Sequence, residues 1–523
     1  MRTFRRPLTD EQASTDKDLV MTKPTGVAGA GGSAAGNPWT ALLALCVGFF
    51  MILVDMTIVA VAQPAIAEDL HTDLNGVVWV SSAYLLTYAV PLLVAGRLGD
   101  KYGPKLIYQI GLVVFTAASL WCGLSGSIGM LIAARAVQGI GAALITPQTM
   151  AVITRIFPPE KRGAAMGVWG SVAGVATLVG PLLGGVLTDN FSWEWIFFVN
   201  IPVGIIGLGL AAFLVPSVDT HDHQFDWVGV TLSAIGLTAL VFGIQEGEKN
   251  NWDLWIWALI IVGAIFMVLF VVWQGKMKGE PLVPLSLFRD RNFSIANVGI
   301  TSMGFAISGL MIPVMFYLQL VGGMSPTQSA LMMMPMALIS GFLAPIVGRI
   351  LDKVHPRNII AGALLLEGVA VGWAGAIMTP ETPVWQLLLP MGVMGFAQAG
   401  IWAPLAATAT RNLPWQQAGA GAGVYNTTRM IGSVIGAAAV GVLMQALLTS
   451  KLGAGAGDSS GDVGAALPQF VKPGFAEAMG HSLYLPAVIL LIGGAVALFF
   501  ERPRTHAPAP TQATPGSLAK AVD

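Results

Sequence analysis

Four ionisable side chains, Asp55, Arg135, Glu367 and Arg429, stand inside stretches that are otherwise apolar. A charge near the centre of a bilayer costs at least ~2.5 kcal/mol, so each is a functional candidate by default. Asp55 lies about sixteen residues into the first apolar stretch, roughly 24 Å along a helix rising 1.5 Å per residue. A carboxyl beside a partly dry cavity holds a proton when water is scarce and releases it when water enters, which is what proton coupling needs. The other reading is an interhelical hydrogen bond from a permanently neutral or paired acid. Arg135 keeps its proton, so it can hold a carboxylate ionised, with Asp55 as candidate partner, or serve a structural pair. Glu367 could be a second proton or cation site, or an interhelical hydrogen bond. Arg429 could snorkel to the nearer surface.

A second group sits in loops. Gly96, Arg97, Asp100, Lys101 and Lys105 form a compact charged turn, and Gly348, Arg349, Asp352, Lys353 and Arg357 repeat its pattern. An aspartate beside a helix N-terminus is favoured by the macrodipole, and the basic neighbours supply ion-pair partners. Such a cluster can latch one side of a membrane protein shut, and the same charges can set topology. In a third group, Gly174, Gly180, Gly184 and Gly185 allow close helix packing, while Pro181 lets the helix bend. Met332, Met333 and Met334 could offer adaptable apolar contacts or simply fill a core.

The elements that must carry these residues follow from composition. Hydrophobic residues make up 55% of the chain and charged residues 11%, too few charges to clothe a water-soluble surface. The net charge of -1 and the lack of a basic stripe argue against nucleic acid as a partner. Cys46 and Cys122 lie within apolar runs and read as packing residues. The six histidines lack metal-ligand spacing, and no phosphate-binding loop occurs, so neither a cofactor nor catalytic chemistry is expected.

With about 20 apolar residues needed per crossing, the chain divides into fourteen spans, beginning near 39–66 and ending near 481–500. Charge supports the count. With both termini inside, every loop Lys or Arg falls on the inner side except Lys249, Lys451 and Lys472. Trp39, Trp79, Trp193, Trp227, Trp252 and Trp385 fall at span ends, as interfacial belts require.

The repeated turn is one of two internal matches. The other pairs Arg155, Pro158, Gly163, Gly180 and Gly185 with Arg411, Pro414, Gly419, Gly436 and Gly441 at a constant offset. Span 2 thus matches span 10 and span 5 matches span 13, leaving spans 7 and 8 without counterparts. The expected organisation is a cytoplasmic tail (1–37), a six-helix bundle (38–216), two inserted helices (217–275), a second six-helix bundle (276–500) and a second cytoplasmic tail (501–523). Parallel halves of this kind enclose a cavity near the bilayer midplane that opens to each side in turn.

These residues resemble the major facilitator superfamily, in its fourteen-helix drug/proton antiporter branch of bacterial multidrug exporters. The Gly96–Lys105 turn resembles the signature loop after span 2, with Pro104 where arginine is usual. Leu131–Gly141 is similar to the span 4 motif and its buried arginine, which the resemblance links to proton transfer. Gly174 through Gly185 resembles the span 5 antiporter motif of exporters, and Trp193–Gly204 and Leu53–Val59 resemble signatures of the branch. The resemblance implies a multi-pass protein of the inner (cytoplasmic) membrane that exchanges small amphipathic compounds for protons. Export of one native metabolite, lipid or siderophore is the neighbouring possibility, and a non-transporting receptor or scaffold the alternative from another class.

Overall fold

The computed structural model describes residues 37–218, 226–277, 279–351, 354–413, 418–452 and 467–501, and these are helical throughout, joined by short turns. Asp352 and Lys353, and both tails except Asn37 and Glu501, lie outside the described residues. The first helices are α1 (Pro38–Asp69), α2 (Leu74–Ala89), α3 (Leu92–Tyr102), α4 (Pro104–Gly123), α5 (Ile128–Ile156) and α6 (Pro159–Asn190). A short turn α7 (Trp195–Phe198) leads into α8 (Asn200–Leu214), followed by α9 (Trp227–Gly247) and α10 (Leu254–Lys276). Then come α11 (Arg291–Phe316), which runs into a π turn at Tyr317–Val321, α12 (Pro326–Leu331), α13 (Met334–Leu351) and α14 (Pro356–Ala376). The last are α15 (Val384–Ala399), α16 (Trp402–Arg411), α17 (Ala418–Leu452), α18 (Lys472–Ser482) and α19 (Tyr484–Ala497).

Local chemistry sets where they start. Asn37, Asp73, Ser127, Asp226, Asp290 and Ser325 each accept a hydrogen bond from a backbone N–H two or three residues on, the N-cap geometry. Pro104 occupies the first turn of α4 directly after Gly103, whose φ of 94° reverses the chain where a side chain would be strained.

Among the described residues, twelve helices or helix runs are long and apolar enough to cross a bilayer. α2 and α3 meet that measure only together, across a 48° bend. Pro91 at the break explains it, since proline removes a backbone donor and its ring clashes with the preceding turn. The sequence reading treats this segment as one span; the structure keeps it as one run but breaks it at the proline. The last run starts at Lys472 rather than near 481, with Pro473 in its first turn, where the missing N–H costs nothing, and with Glu477 paired to Lys451 at 2.5 Å.

The bilayer side is apolar. α10 exposes Ile261, Ile265, Val268 and Leu269 along one face, and Phe213 is 89% exposed. α11 and α17 approach closely through small residues: a Cβ on Gly304, Gly432 or Gly436 would lie 2.3 Å from the facing backbone oxygens of Arg429, Thr301 and Phe305. α9 packs on α10 and docks on α2, where Glu246 Oε1 accepts from Asn75 Nδ2 (3.0 Å) and Trp79 Nε1 (2.6 Å). Leu237 and Val241 of α9 share an apolar cluster with Tyr88 of α2 and with Met430 and Val434 of α17.

Candidate functional site

The first site is built around Asp55 on α1. Its carboxylate is fully enclosed, and every atom that reaches it is buried too. Arg135 Nη1 of α5 donates to Asp55 Oδ2 at 2.6 Å. Gln138 Nε2, one turn further along α5, donates to Oδ1 at 2.9 Å, and Asn200 Nδ2 at the start of α8 donates to the same oxygen at 3.0 Å. Ser119 of α4 accepts from both amides and donates to Phe197 O. Arg135 is held in turn: Nη1 also donates to Gln138 Oε1 (2.6 Å) and Nε to Val80 O (3.2 Å), while the guanidinium carbon lies 4.1 Å from the Tyr84 ring centroid. Elements α5 and α8 therefore meet at the α1 carboxylate, and α2, α4 and α7 close the network around them.

Such a closed network stabilises only when complete. A buried pair that loses one partner typically costs about 3 to 5 kcal/mol, because a lone charge remains in low dielectric. Protonating Asp55 removes one of the two charges just as surely as substitution does, so the added proton must be accompanied by rearrangement or water entry around Arg135. The arrangement can link a proton to a conformational change. Sequence reasoning names Asp55 and Arg135 but passes over Gln138, Ser119 and Asn200. Gln138 sits three residues after Arg135 in the span 4 segment, and that helical spacing is the available signal.

Glu367 lies apart from this cluster, on α14. It is 2% exposed; Oε1 accepts from Gln398 Nε2 of α15 (3.0 Å), and Oε2 has no hydrogen-bond partner. No cation pairs with it among the described residues.

The charged turn after α3 reaches well beyond its own sequence neighbours. Asp100 pairs with Arg155 at the end of α5. Arg97 instead reaches Glu280 (2.6 Å) and Pro281 O (2.8 Å) in the segment that follows α10, and Lys105 Nζ donates to Ala212 O. Gly96 and Arg97 are half-buried, Lys101 lies over the Tyr102 ring, and Arg349 is exposed at the end of α13. Gly99 is the tight contact, since a Cβ there would meet the Gln148 side chain at 1.8 Å.

The small residues of α6 serve two faces. Gly180 and Gly184 pack on α1, where added Cβ atoms would lie 1.9 Å from Thr57 Oγ1 and 2.8 Å from Ile58 O. Gly185 packs on α12 instead, 2.6 Å from Thr327 Cα by the same construction. Gly174 and Pro181 lie within the same helix. At its end, Asp189 Oδ2 accepts from Ser325 Oγ (2.9 Å) and Thr327 N (3.0 Å), tying α6 to α12. Gln319 Nε2 also donates to Val61 O of α1 (2.9 Å). Asp189 escapes sequence reasoning because it reads as an ordinary loop acid. Asp189→Ala should weaken this contact by about 1 kcal/mol or less, since its bonds are exposed to solvent. Spin labels at Asn190 and Gln328 should then report a longer mean distance than in the parent protein.

A bundle of apolar helices around enclosed ionisable groups defines a membrane carrier, and comparison with known proteins says which kind. The model of the Major Facilitator Superfamily matches residues 45–437, and the chain belongs to that family, one of transporters and not enzymes. It is 52% identical to an MFS-type transporter of Mycobacterium tuberculosis, over 90% of this chain and 82% of that one. It is 31% identical to the tetracenomycin C resistance and export protein of Streptomyces glaucescens, over 94% and 97%. The fold matches a bacterial homologue of the human lysosomal transporter Spinster, solved inward-facing and unoccupied, with TM-score 0.60 and 18% identity over 90% of this chain and 97% of that one.

Proposed function

We propose that this transporter exports small amphipathic compounds across the cytoplasmic membrane in exchange for protons, by alternating access between two six-helix bundles (38–216 and 276–500). The observation that carries the reading is the Asp55–Arg135 pair, enclosed on all sides yet built from an acid that can take up a proton. The gate and antiporter residues at Gly96–Lys105, Arg349 and Gly174–Gly185 are assigned here to closure of the two faces. The α2–α3 run and the 32-residue α6 join the twelve long helices to make fourteen crossings, with residues 217–275 as the inserted pair and both termini cytoplasmic. That topology puts Asp189–Ser325 and Gln319–Val61 at the outer ends, so the outer face is the closed one. Export agrees with the name of the Streptomyces relative, a resistance and export protein.

In inverted membrane vesicles, an imposed proton gradient should drive accumulation of an amphipathic fluorescent dye, and an uncoupler should collapse it. Accumulation that ignores the gradient would sink the exchange mechanism. Glu367 is the proposed second proton carrier. Glu367→Gln preserves shape and the Oε1 acceptor, so the thermal midpoint should stay within a few degrees, a change below roughly 1 kcal/mol. Transport should then require one proton fewer per substrate, read as the gradient that just balances a fixed substrate gradient. An unchanged balance point would leave Glu367 a packing acid.

A further inference from the structure

The two arginines inside spans are treated oppositely. Arg135 has a carboxylate, an amide oxygen and a backbone carbonyl. Arg429, half-buried on α17, makes no ion pair or hydrogen bond among the described residues. Its electrostatic neighbours are two tyrosine hydroxyls, Tyr88 on α2 and Tyr425 one turn back on α17. Tyr88 is occupied by Thr146 Oγ1 at 2.8 Å. Tyr425 Oη is buried without a partner, and so is Tyr84 Oη, whose ring lies 5.9 Å from that of Tyr88. Tyr88 itself packs in an apolar cluster with Leu85, Leu86, Met430 and Val434, which brings α2 against α17 beside Arg429.

A guanidinium placed within a span beside the unsatisfied Tyr425 hydroxyl, with no acid of its own, is costly to keep and lacks only a counter-ion. Snorkelling, the simplest expectation for this residue, fits poorly, because Arg429 faces α2 across the seam between the proposed bundles rather than the lipid. We propose that Arg429, with Tyr425, forms the anion-binding subsite of the transport path, and that the exported compounds are apolar aromatic molecules carrying a carboxylate or similarly acidic group. This deepens the export reading and rests on it. Guanidinium offers five N–H donors to an anion, the phenol hydroxyl adds a neutral one, and the apolar cluster takes the hydrophobic body. Tyr84, whose ring lies against that of Tyr88, stacks on Arg135, so one aromatic pair runs between the anion site and the Asp55 pair.

The test is binding to the full-length protein in lipid nanodiscs, using anthracene carboxylate, its methyl ester and aminomethyl anthracene as matched probes. The carboxylate should bind roughly 10- to 100-fold more tightly than the ester, the range expected for charge-assisted hydrogen bonds. Arg429→Gln should abolish that preference, and Arg429→Lys should restore part of it. Equal affinity for the three probes in the unmodified protein, or absence of carboxylate binding, overturns the subsite. Because this readout needs no gradient, it separates from the export reading. Carboxylate preference without gradient-driven movement would remove transport and keep the site; gradient-driven movement of the amine alone would do the reverse.

Discussion

Asp55→Asn should reduce gradient-driven transport to the background of empty vesicles while substrate-for-substrate exchange continues. An asparagine cannot exchange a proton, but it preserves the shape that lets the carrier swing with substrate bound. Stability should fall by roughly 3 kcal/mol, because Arg135 keeps its charge in an enclosed site without a carboxylate. Asp55→Asn/Arg135→Gln should be more stable than either single variant, since removing both members of a buried pair leaves no lone charge. Thermal melting of the three purified variants checks the order. If the double variant is the least stable, the pair is not what holds this cluster together.

Gly185→Val and Gly184→Val, adjacent in sequence, should fail in different ways. The Gly185 position meets the backbone of Thr327 and Pro326 on α12, so a side chain there wedges α6 away from α12. Transport should drop tenfold or more with little loss of stability, because the closed outer face becomes inaccessible rather than the fold unstable. The Gly184 position meets Ile58 O on α1, inside the bundle that holds Asp55. Overpacking there should cost roughly 1 to 3 kcal/mol and lower the thermal midpoint. Equal melting temperatures for the two variants would contradict this division of the helix into a packing face and a moving face.

The membrane class and the helical architecture were legible because a low-charge chain with apolar runs of spanning length has few other options. The Asp55–Arg135 pairing was legible as a possibility because both groups are too costly in a bilayer to lack a partner. Gln138, Ser119 and Asn200 were not, since uncharged polar residues are common in spans and their convergence depends on how four helices pack. The pairing of Asp100 with Arg155 was not legible either, because the end of α5 comes alongside α3 only in the fold and a local basic turn does not reveal which of its members faces inward. Asp189 shows the same limit: its partners Ser325 and Thr327 are far along the chain, and only the fold brings them together.

The central claim is that Asp55 carries a proton inward for each substrate carried out. It is tested most directly by following both fluxes in one preparation of sealed proteoliposomes, with a pH dye trapped inside and a fluorescent substrate. Adding substrate to the unmodified protein should start proton movement in the opposite direction at a fixed ratio, and Asp55→Asn should abolish the proton signal. Substrate movement at the same rate with no proton countermovement, or an intact proton signal in Asp55→Asn, would contradict the account.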